Sequence, residues 1–464
     1  MINSTGPLIK PLNLIDRLKT IYKEYPINFM LFLILSMAIP RIYRMTNTYW
    51  IGQIDLSSLA ITEQYEFVGI IIEIINETLP FGILALVSQN YRNRSDIIKQ
   101  LSTGVLLQIL LSTVLSVAIF FNMPMFVDFI GTAPELAAQT RSYLSLRTLA
   151  LPFASLSLIL ILGLKSMDRA KLALGVVVFN VGANMLLDLY LISSFPFSLK
   201  LGVQGVAWGY LISNASSCFI ALILTVWTLK VKRNDVNEIK MEENSIQLFK
   251  VGGWTGFDSI VRNFFYFFIL QILNFMGPNQ YAGFNLFQMI MWTALIPVLA
   301  IAEGTKIRIG NYLFSENAQE KITKLIITSC TLAFLIIGGF GLIGLLAIDG
   351  IGYVFTQNSE VVRFSTLMFY WQIIPYTLFA VSENLRAIFF GTGKTYYILI
   401  ASLVLNLGII YPFFQLMNNG ILSSSYETIM LMYVLIDLLD IFMAFIFVRH
   451  LLGRLFPNKS SIVY

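Results

Sequence analysis

The chain has 464 residues, of which 57% are hydrophobic and only 12% are charged, with a net charge of +5. A soluble domain carries about twice that share of charged residues, so the composition excludes a soluble globular protein and indicates a polytopic membrane protein. The basic residues lie between apolar runs, so the net charge does not indicate nucleic-acid binding. With one histidine and two distant cysteines, we expect no metal site, no disulfide framework and no enzyme activity.

Apolar runs of about 20 residues or more, long enough to cross a bilayer, occur twelve times along the chain. A charged stretch at 230–244 separates the first six from the last six. We therefore predict an all-α membrane protein with two six-helix bundles, one over residues 1–234 and one over 235–464. The polar N-terminal segment lacks the apolar core of a signal peptide, and we expect no cleavage there. The predicted runs are 27–52, 57–90, 97–121, 142–164, 170–194, 202–229, 248–275, 280–305, 323–347, 363–389, 395–417 and 425–448.

The basic residues between the runs predict the orientation of the chain. If the N-terminus is cytoplasmic, nearly all of them lie on the cytoplasmic side, and both termini are then cytoplasmic. This topology is typical of a multi-pass protein of a prokaryotic cell membrane. The opposite side then holds four basic residues: Arg141, Arg147, Lys200 and Arg363.

The two halves of the chain resemble each other. Arg41 in the first half recurs as Arg262 in the second, and Asn180 recurs as Asn406. Two six-helix halves in the same orientation indicate a parallel repeat about an axis along the membrane normal. In that arrangement the substrate path lies between the halves.

The second apolar run carries an acidic stripe formed by Glu66, Glu73 and Glu77. On a helix these residues lie within roughly 40° of one another. A carboxylate at bilayer depth costs several kcal/mol unless it is paired, hydrated or protonated, so the stripe marks a pathway. Because the equivalent positions of the second half are uncharged, we interpret the stripe as functional rather than as a need of the fold. Those equivalent positions are Gln288, Leu295 and Leu299.

The first two runs form a hairpin with a turn near residues 52–57, and this fixes which side chains share a depth. Glu66 lies level with Arg41 and Arg44, so we predict that it is salt-bridged to them. The other two acids of the stripe have no basic partner on this hairpin.

Three interpretations of Glu73 and Glu77 stay open. At least one of them titrates and carries the coupling ion, or both line a wet cavity and attract cations, or they form an ion pair with Arg262. Asp258 is four residues before Arg262, so these two side chains are expected to pair with each other. Further acids on other runs are weaker candidates: Glu303 and Glu383 are expected near the membrane interface, and Asp437 is a possible contact of the path.

Several segments resemble the multidrug and toxic compound extrusion family of transporters. They are NTYWIGQIDLSSLAI at the end of the first run, NMLLDLYLI followed by LGVQGVAWGYLIS, and LRAIFFGTGKT. The resemblance covers nearly the whole chain. It implies two bundles in a V shape around a central cavity, and export of mostly cationic, aromatic compounds against an inward flow of protons or sodium ions.

The resemblance also implies a cation site in the N-terminal bundle, formed by Asn184 and Asp188 and completed by an acid of the first helix. That third position is Asn47 in this chain, so one negative charge is missing. The acidic stripe at Glu66–Glu77 is a candidate to replace it. Alternatively, Asn184 and Asp188 only join helices through hydrogen bonds, each with a net worth of about 1 kcal/mol.

We therefore expect a monomeric, secondary-active exporter in the lipid bilayer. Its cargo would be a small, cationic, aromatic compound, and it would need no cofactor besides a transported proton or sodium ion. The alternative is a flippase for anionic lipid-linked precursors, in which Arg41, Arg44 and Arg262 bind a pyrophosphate, although nearby carboxylates are at least as numerous. A channel is disfavoured by the two-bundle repeat.

Overall fold

A computed structural model describes residues 26–52, 54, 56–232, 235 and 241–457, and the regular elements in these ranges are all helices. Eleven segments are long and apolar enough to cross a membrane, and a twelfth arises if α11 and α12, bent by 50°, form one broken span. The predicted all-α architecture of twelve spans is confirmed. The helices are α1 Ile27–Gly52, α2 Leu56–Glu63, α3 Tyr65–Gln89, α4 Arg94–Phe121, α5 Met123–Phe129, α6 Pro134–Leu149, α7 Leu151–Ser166, α8 Ala170–Leu191, α9 Val203–Leu229, α10 Met241–Met276, α11 Pro278–Ala294, α12 Ile296–Tyr312, α13 Ala318–Phe355, α14 Ser359–Gly391, α15 Tyr396–Leu405, α16 Tyr411–Asn418 and α17 Tyr426–Leu455.

We number the membrane spans 1 to 12 in chain order. Spans 2, 4 and 8 each consist of two consecutive helices, α2–α3, α6–α7 and α11–α12. Span 11 joins α15 and α16 through a single π-helical turn at Asn406–Ile410. The short α5 lies between spans 3 and 4, and every other span is one helix.

Several spans begin at side chains that cap the helix. The carboxamide oxygen of Asn93 accepts the backbone N–H of Ser95 at 3.1 Å at the start of span 3. Asn358 accepts that of Glu360 at 3.0 Å at the start of span 10. Such a cap satisfies a backbone donor that has no partner in the helix, and it typically contributes about 1 kcal/mol. Local sequence therefore fixes where these spans start.

The spans pack into two lobes. In the first, span 5 packs on spans 1 and 6, and span 4 packs on spans 2, 3 and 6. In the second, span 10 is central and packs on spans 8, 9 and 12. The largest buried cluster of apolar side chains lies in the second lobe. The predicted boundary between residues 234 and 235 falls in a stretch of which only Asp235 is described.

The lobes meet mainly where span 2 crosses span 7. Two glycines of span 7, Gly252 and Gly256, lie against Thr78 of span 2. A Cβ atom on Gly252 would lie 1.8 Å from the backbone oxygen of Thr78, and one on Gly256 would lie 2.0 Å from its hydroxyl. Small residues four apart allow this close approach of helices in membranes, where packing rather than hydrophobicity drives association.

Gly252→Ala is expected to destabilise the protein because its methyl group has no space at the lobe interface. Overpacking of this kind costs roughly 1–3 kcal/mol or more, so thermal unfolding in detergent should begin at a clearly lower temperature. Gly253→Ala is the matched control, because a Cβ there meets nothing within 4 Å. Equal unfolding temperatures for the two variants would contradict the packing described here.

Candidate functional site

Glu66 lies near one end of span 2 and is paired with span 1. A nitrogen of Arg44, Nη1, lies 3.6 Å from Oε1 of Glu66, and both side chains are largely exposed, at 71% and 66%. Arg41 is close enough to attract Glu66 electrostatically, but Arg44 makes the ion-pair contact. The predicted hairpin register is therefore confirmed. An ion pair this exposed contributes little to stability.

The other two acids of the stripe meet span 7 of the opposite lobe. Nη2 of Arg262 lies 2.5 Å from Oε2 of Glu77, and Nε of Arg262 donates to Oδ2 of Asp258 at 2.9 Å. The side chain of Asn263 donates to Oε2 of Glu73 at 3.1 Å. The predicted pair of Asp258 and Arg262 is confirmed, and Glu77 is in an ion pair with Arg262. We call these five residues the central cluster.

The central cluster lies halfway along spans 2 and 7. Beside it, the hydroxyl of Thr255 donates to the backbone oxygen of Glu77 at 2.7 Å. The side chain of Arg262 is 45% exposed and that of Glu77 is 21% exposed. A half-exposed guanidinium at this depth is far more stable beside water than beside lipid. From this exposure we infer a water-accessible cleft between the lobes, with the central cluster at its floor.

From the central cluster towards the ends of spans 4, 8 and 10, polar contacts close the lobe interface. The buried side chains of Lys165 and Glu303 form an ion pair across the lobes, with an N–O distance of 2.8 Å. Gln89 donates to the backbone oxygen of Gly391 at 2.9 Å. We call this end, which the topology prediction places in the cytoplasm, the closed face. Glu303 was expected at the membrane interface, and this was wrong because Lys165 of the other lobe reaches it inside the protein.

The closed face continues into the second lobe as a buried network. Nζ of Lys306 donates to Oε1 of Glu383 at 2.9 Å. Arg386 contacts both Glu383 and Asp440, and the hydroxyl of Ser382 donates to Asp440 at 2.5 Å. Glu383 is therefore a buried partner of two cations rather than an interfacial residue.

The N-terminal lobe holds a second polar group around Asp188. The hydroxyl of Tyr43 donates to Oδ2 of Asp188 at 2.7 Å. Asp188 and Asn184 are both buried and face Gly209 of span 6, where an added Cβ would lie 3.5 Å from Oδ1 of Asp188. Asn47 is one turn from Tyr43, and its buried oxygen has no hydrogen-bond partner among the described residues. The structure thus brings Asn184 and Asp188 together, while Tyr43 rather than Asn47 reaches Asp188 from span 1.

Sequence reasoning missed Tyr43, Asn263 and the environment of Arg147. The guanidinium of Arg147 lies between two rings, 4.0 Å from the centroid of Tyr65 and 3.6 Å from that of Tyr210. These contacts join spans 2, 4 and 6. The sequence carries no signal for them, because tyrosines are frequent in this chain and their rotation about each span is not fixed by an apolar pattern.

The electrostatic character of the cleft floor follows from its composition. The central cluster contains three carboxylates, those of Glu73, Glu77 and Asp258, against one guanidinium. With all groups ionised it therefore has a net negative charge, which attracts cations and repels anions. The same cluster connects the two lobes through the ion pair of Glu77 and Arg262.

One family model matches both halves of the chain. The MatE family model matches residues 33–190 and 255–414. The multidrug export protein MepA of Staphylococcus aureus strain MSSA476 is 23% identical over 246 residues, which is 52% of either chain. MepA of strain MRSA252 is 24% identical over the same share. The chain thus spans about half the length of the curated relatives it matches.

Solved structures share the fold. The Vibrio cholerae MATE transporter VcmN in its bent form has a TM-score of 0.83 and 14% identity, over 95% of this chain and 99% of that chain. A transporter of the MOP superfamily from Pyrococcus furiosus, described as having a binding pocket of reverse polarity, has a TM-score of 0.80 and 17% identity, over 92% and 95%. The arrangement of twelve spans in two lobes is therefore that of these transporters.

Glu303→Gln is expected to weaken the closed face strongly, because it leaves the ammonium of Lys165 buried without its counter-charge. Breaking a buried ion pair on one side typically costs about 3–5 kcal/mol. The measurement is thermal unfolding in detergent. Glu360→Gln is the control, since its pair with Arg363 is largely exposed and should change stability by less than about 1 kcal/mol. An effect of Glu303→Gln as small as that of the control would rule out a structural role of the pair.

Proposed function

The chain belongs to the MatE family, and we propose that it is a secondary-active exporter of small organic cations. An inward flow of protons or sodium ions would drive export by alternating access between the two lobes. The curated relatives carry the name multidrug export protein, which supports this class of cargo. The observation that carries the proposal is the acidic central cluster at the floor of the cleft.

The central cluster is suited to coupling because its ion pair crosses the lobe interface. Glu77 belongs to span 2, whereas Arg262 and Asp258 belong to span 7. A proton or a cation bound at Glu77 competes with Arg262 and loosens the contact between the lobes. Cation binding thus shifts the equilibrium between two lobe arrangements by its differential affinity for them.

A single partly exposed ion pair is too weak to control the whole transition. Reversing a 1:99 equilibrium needs roughly 5.5 kcal/mol, and an exposed pair contributes about 1 kcal/mol or less. The buried pair of Lys165 and Glu303 crosses the same interface, so separating the lobes at this end would have to break it as well. We propose that the central cluster responds to the ion and that the closed face supplies the main barrier to opening.

The group around Asp188 is the proposed second ion site. Asn184 and Asp188 lie on span 5, next to Asn47 and Tyr43 of span 1, and the hydroxyl of Tyr43 donates to Asp188. With Asn47 in place of an acid, this site offers one carboxylate. The carboxylates of the central cluster supply further negative charge for the coupling ion.

The proposal includes the setting of the protein. It would act as a monomer in the cell membrane with both termini in the cytoplasm, so that the closed face is cytoplasmic and the cleft opens outwards. Its cargo would be planar, aromatic and positively charged, as an apolar cleft with a few carboxylates requires. It would need no cofactor besides the transported ion.

The flippase alternative is not favoured. It needs several guanidinium groups free to bind a pyrophosphate. Arg262 is held by Glu77 and Asp258, and Arg44 is paired with Glu66. Arg41 alone does not match the doubly charged group, and the surplus of carboxylates at the cleft floor would repel it.

Proteoliposomes provide the test of coupling. In wild-type vesicles, an imposed proton gradient or sodium gradient, applied separately, should drive transport of ethidium. Glu73→Gln combined with Glu77→Gln should reduce this transport by more than about tenfold, because the cross-lobe carboxylates that respond to the ion are gone. Binding of ethidium should stay measurable.

Glu66→Gln is the matched control within the same stripe, since its pair with Arg44 is exposed, and transport should stay within about twofold. If neither gradient drives transport by the wild type, the exporter proposal is wrong. If the double variant transports normally, the central cluster does not couple the ion.

A further inference from the structure

Asp437 is a buried carboxylate that none of the contacts described so far involves. It lies in the middle of span 12 and is only 7% exposed. In the described part of the chain it makes no hydrogen bond and no ion pair. Its neighbour Asp440, one turn along the same helix, is held by Ser382 and Arg386.

This contrast matters because an isolated carboxylate inside a membrane protein is strongly unfavourable. The nearest cation, Arg386, already contacts Asp440 and Glu383. No described side chain is thus left to neutralise Asp437. A positively charged ligand would satisfy it.

Aromatic side chains surround this carboxylate. Tyr433 precedes Asp437 by one helical turn on the same face of span 12. Tyr376 approaches from span 10, and its hydroxyl donates to Oε1 of Gln288 at 2.5 Å. Both phenol groups are close enough to Asp437 to interact with it electrostatically. We call Asp437, Tyr433, Tyr376 and Gln288 the Asp437 pocket.

Further rings hold the tyrosines in place. The centroid of Phe284 lies 5.9 Å from that of Tyr433, and the centroid of Phe287 lies 5.4 Å from that of Tyr376. Both phenylalanines belong to span 8 and are fully buried. The pocket therefore has aromatic walls that are supported from behind.

The pocket lies next to the cleft. Tyr266 is one turn from Arg262 on the same face of span 7 and is 37% exposed. It is also within electrostatic reach of Tyr376 and Tyr433. Tyr266 therefore lies near both Arg262 of the central cluster and the Asp437 pocket.

We propose that the Asp437 pocket binds the organic cation that the protein exports, through the carboxylate of Asp437 and the ring faces of Tyr376 and Tyr433. A cation with delocalised charge and an apolar surface suits this site, because aromatic ring faces attract it and bury its apolar surface. A small ion is less well suited, because ring faces cannot replace the water molecules that hydrate it. A sodium ion needs several oxygen ligands, and two of the oxygens here, those of Tyr376 and Gln288, are already bonded to each other. The inference rests on the proposed function only for the export of the bound cation.

Equilibrium binding separates this inference from transport. Ethidium would be titrated against the full-length protein in nanodiscs at constant pH and salt, with fluorescence anisotropy as the readout. Asp437→Asn should weaken binding by about tenfold or more, as expected for a lost charge-assisted contact. Asp349→Asn is the control, because Asp349 of span 9 is exposed, accepts a hydrogen bond from Thr366 and is not one of the pocket residues. Its affinity should stay within about twofold of the wild type.

Two variants of Tyr433 test the role of the ring and do not depend on how Asp437→Asn folds. Tyr433→Phe retains the ring and should keep the affinity within about threefold. Tyr433→Ala removes the ring and should weaken binding by roughly fivefold or more, within the range of cation–π contacts. Equal affinities of these two variants would contradict the aromatic part of the site.

Three results would overturn the proposal. The first is wild-type affinity in Asp437→Asn. The second is no binding of ethidium or tetraphenylphosphonium by the wild type. The third is a sodium-dependent gain in thermal stability that Asp437→Asn abolishes while ethidium binding is unchanged. Loss of gradient-driven transport with normal ethidium binding would instead count against the proposed function and leave the binding site standing.

Discussion

The ion pair between Arg262 and Glu77 joins the two lobes, and the surrounding structure depends on the close helix crossing that makes it possible. Gly252 and Gly256 let span 7 lie directly against Thr78 of span 2. At this separation the guanidinium of Arg262 reaches a carboxylate of the opposite lobe. The glycines set the distance between spans 2 and 7. The ion pair favours the rotation of each helix about its own axis that brings the two charges together.

The ion pairs at the lobe interface and beside it differ in strength because they differ in burial. Within the first lobe, near the other end of span 2, Arg44 and Glu66 are largely exposed and attract each other weakly. At the closed face, Lys165 and Glu303 are removed from water and cannot separate without a large penalty. The central cluster lies between these extremes. At this position, a change of one charge can shift the proposed equilibrium between two lobe arrangements without unfolding the protein.

The sequence predicted contacts that are local and missed those that are not. The hairpin of spans 1 and 2 is short, so its turn fixes which residues share a depth, and the contact of Glu66 with Arg44 follows. The pair of Asp258 and Arg262 follows from helical spacing alone. Glu77 and Arg262 are 185 residues apart, and the depth of span 7 relative to span 2 depends on packing between lobes. The sequence therefore left three options for Glu77.

The same limit explains the errors at the closed face. Glu303 lies beside Lys306 in sequence, which is typical of a residue at the membrane interface. In the structure the two residues form ion pairs with other spans. Glu303 pairs with Lys165, and Lys306 pairs with Glu383. An acid near the end of a span can thus be interfacial or buried. Whether such an acid is buried depends on whether a basic side chain of another span lies at the same depth.

The repeat makes the difference between the lobes informative. Arg41 and Arg262 are equivalent in sequence, yet only Arg262 is held by two carboxylates. The buried acid of the first lobe, Asp188, receives a hydroxyl and lies among amides, which are the groups that hold a small ion. The buried acid of the second lobe, Asp437, lies among rings, which suit an organic cation. A common ancestor of the halves would then have diverged into an ion-binding and a cargo-binding lobe. In that case the ion pair of Arg262 and Glu77 crosses from the ion-binding lobe to the cargo-binding lobe.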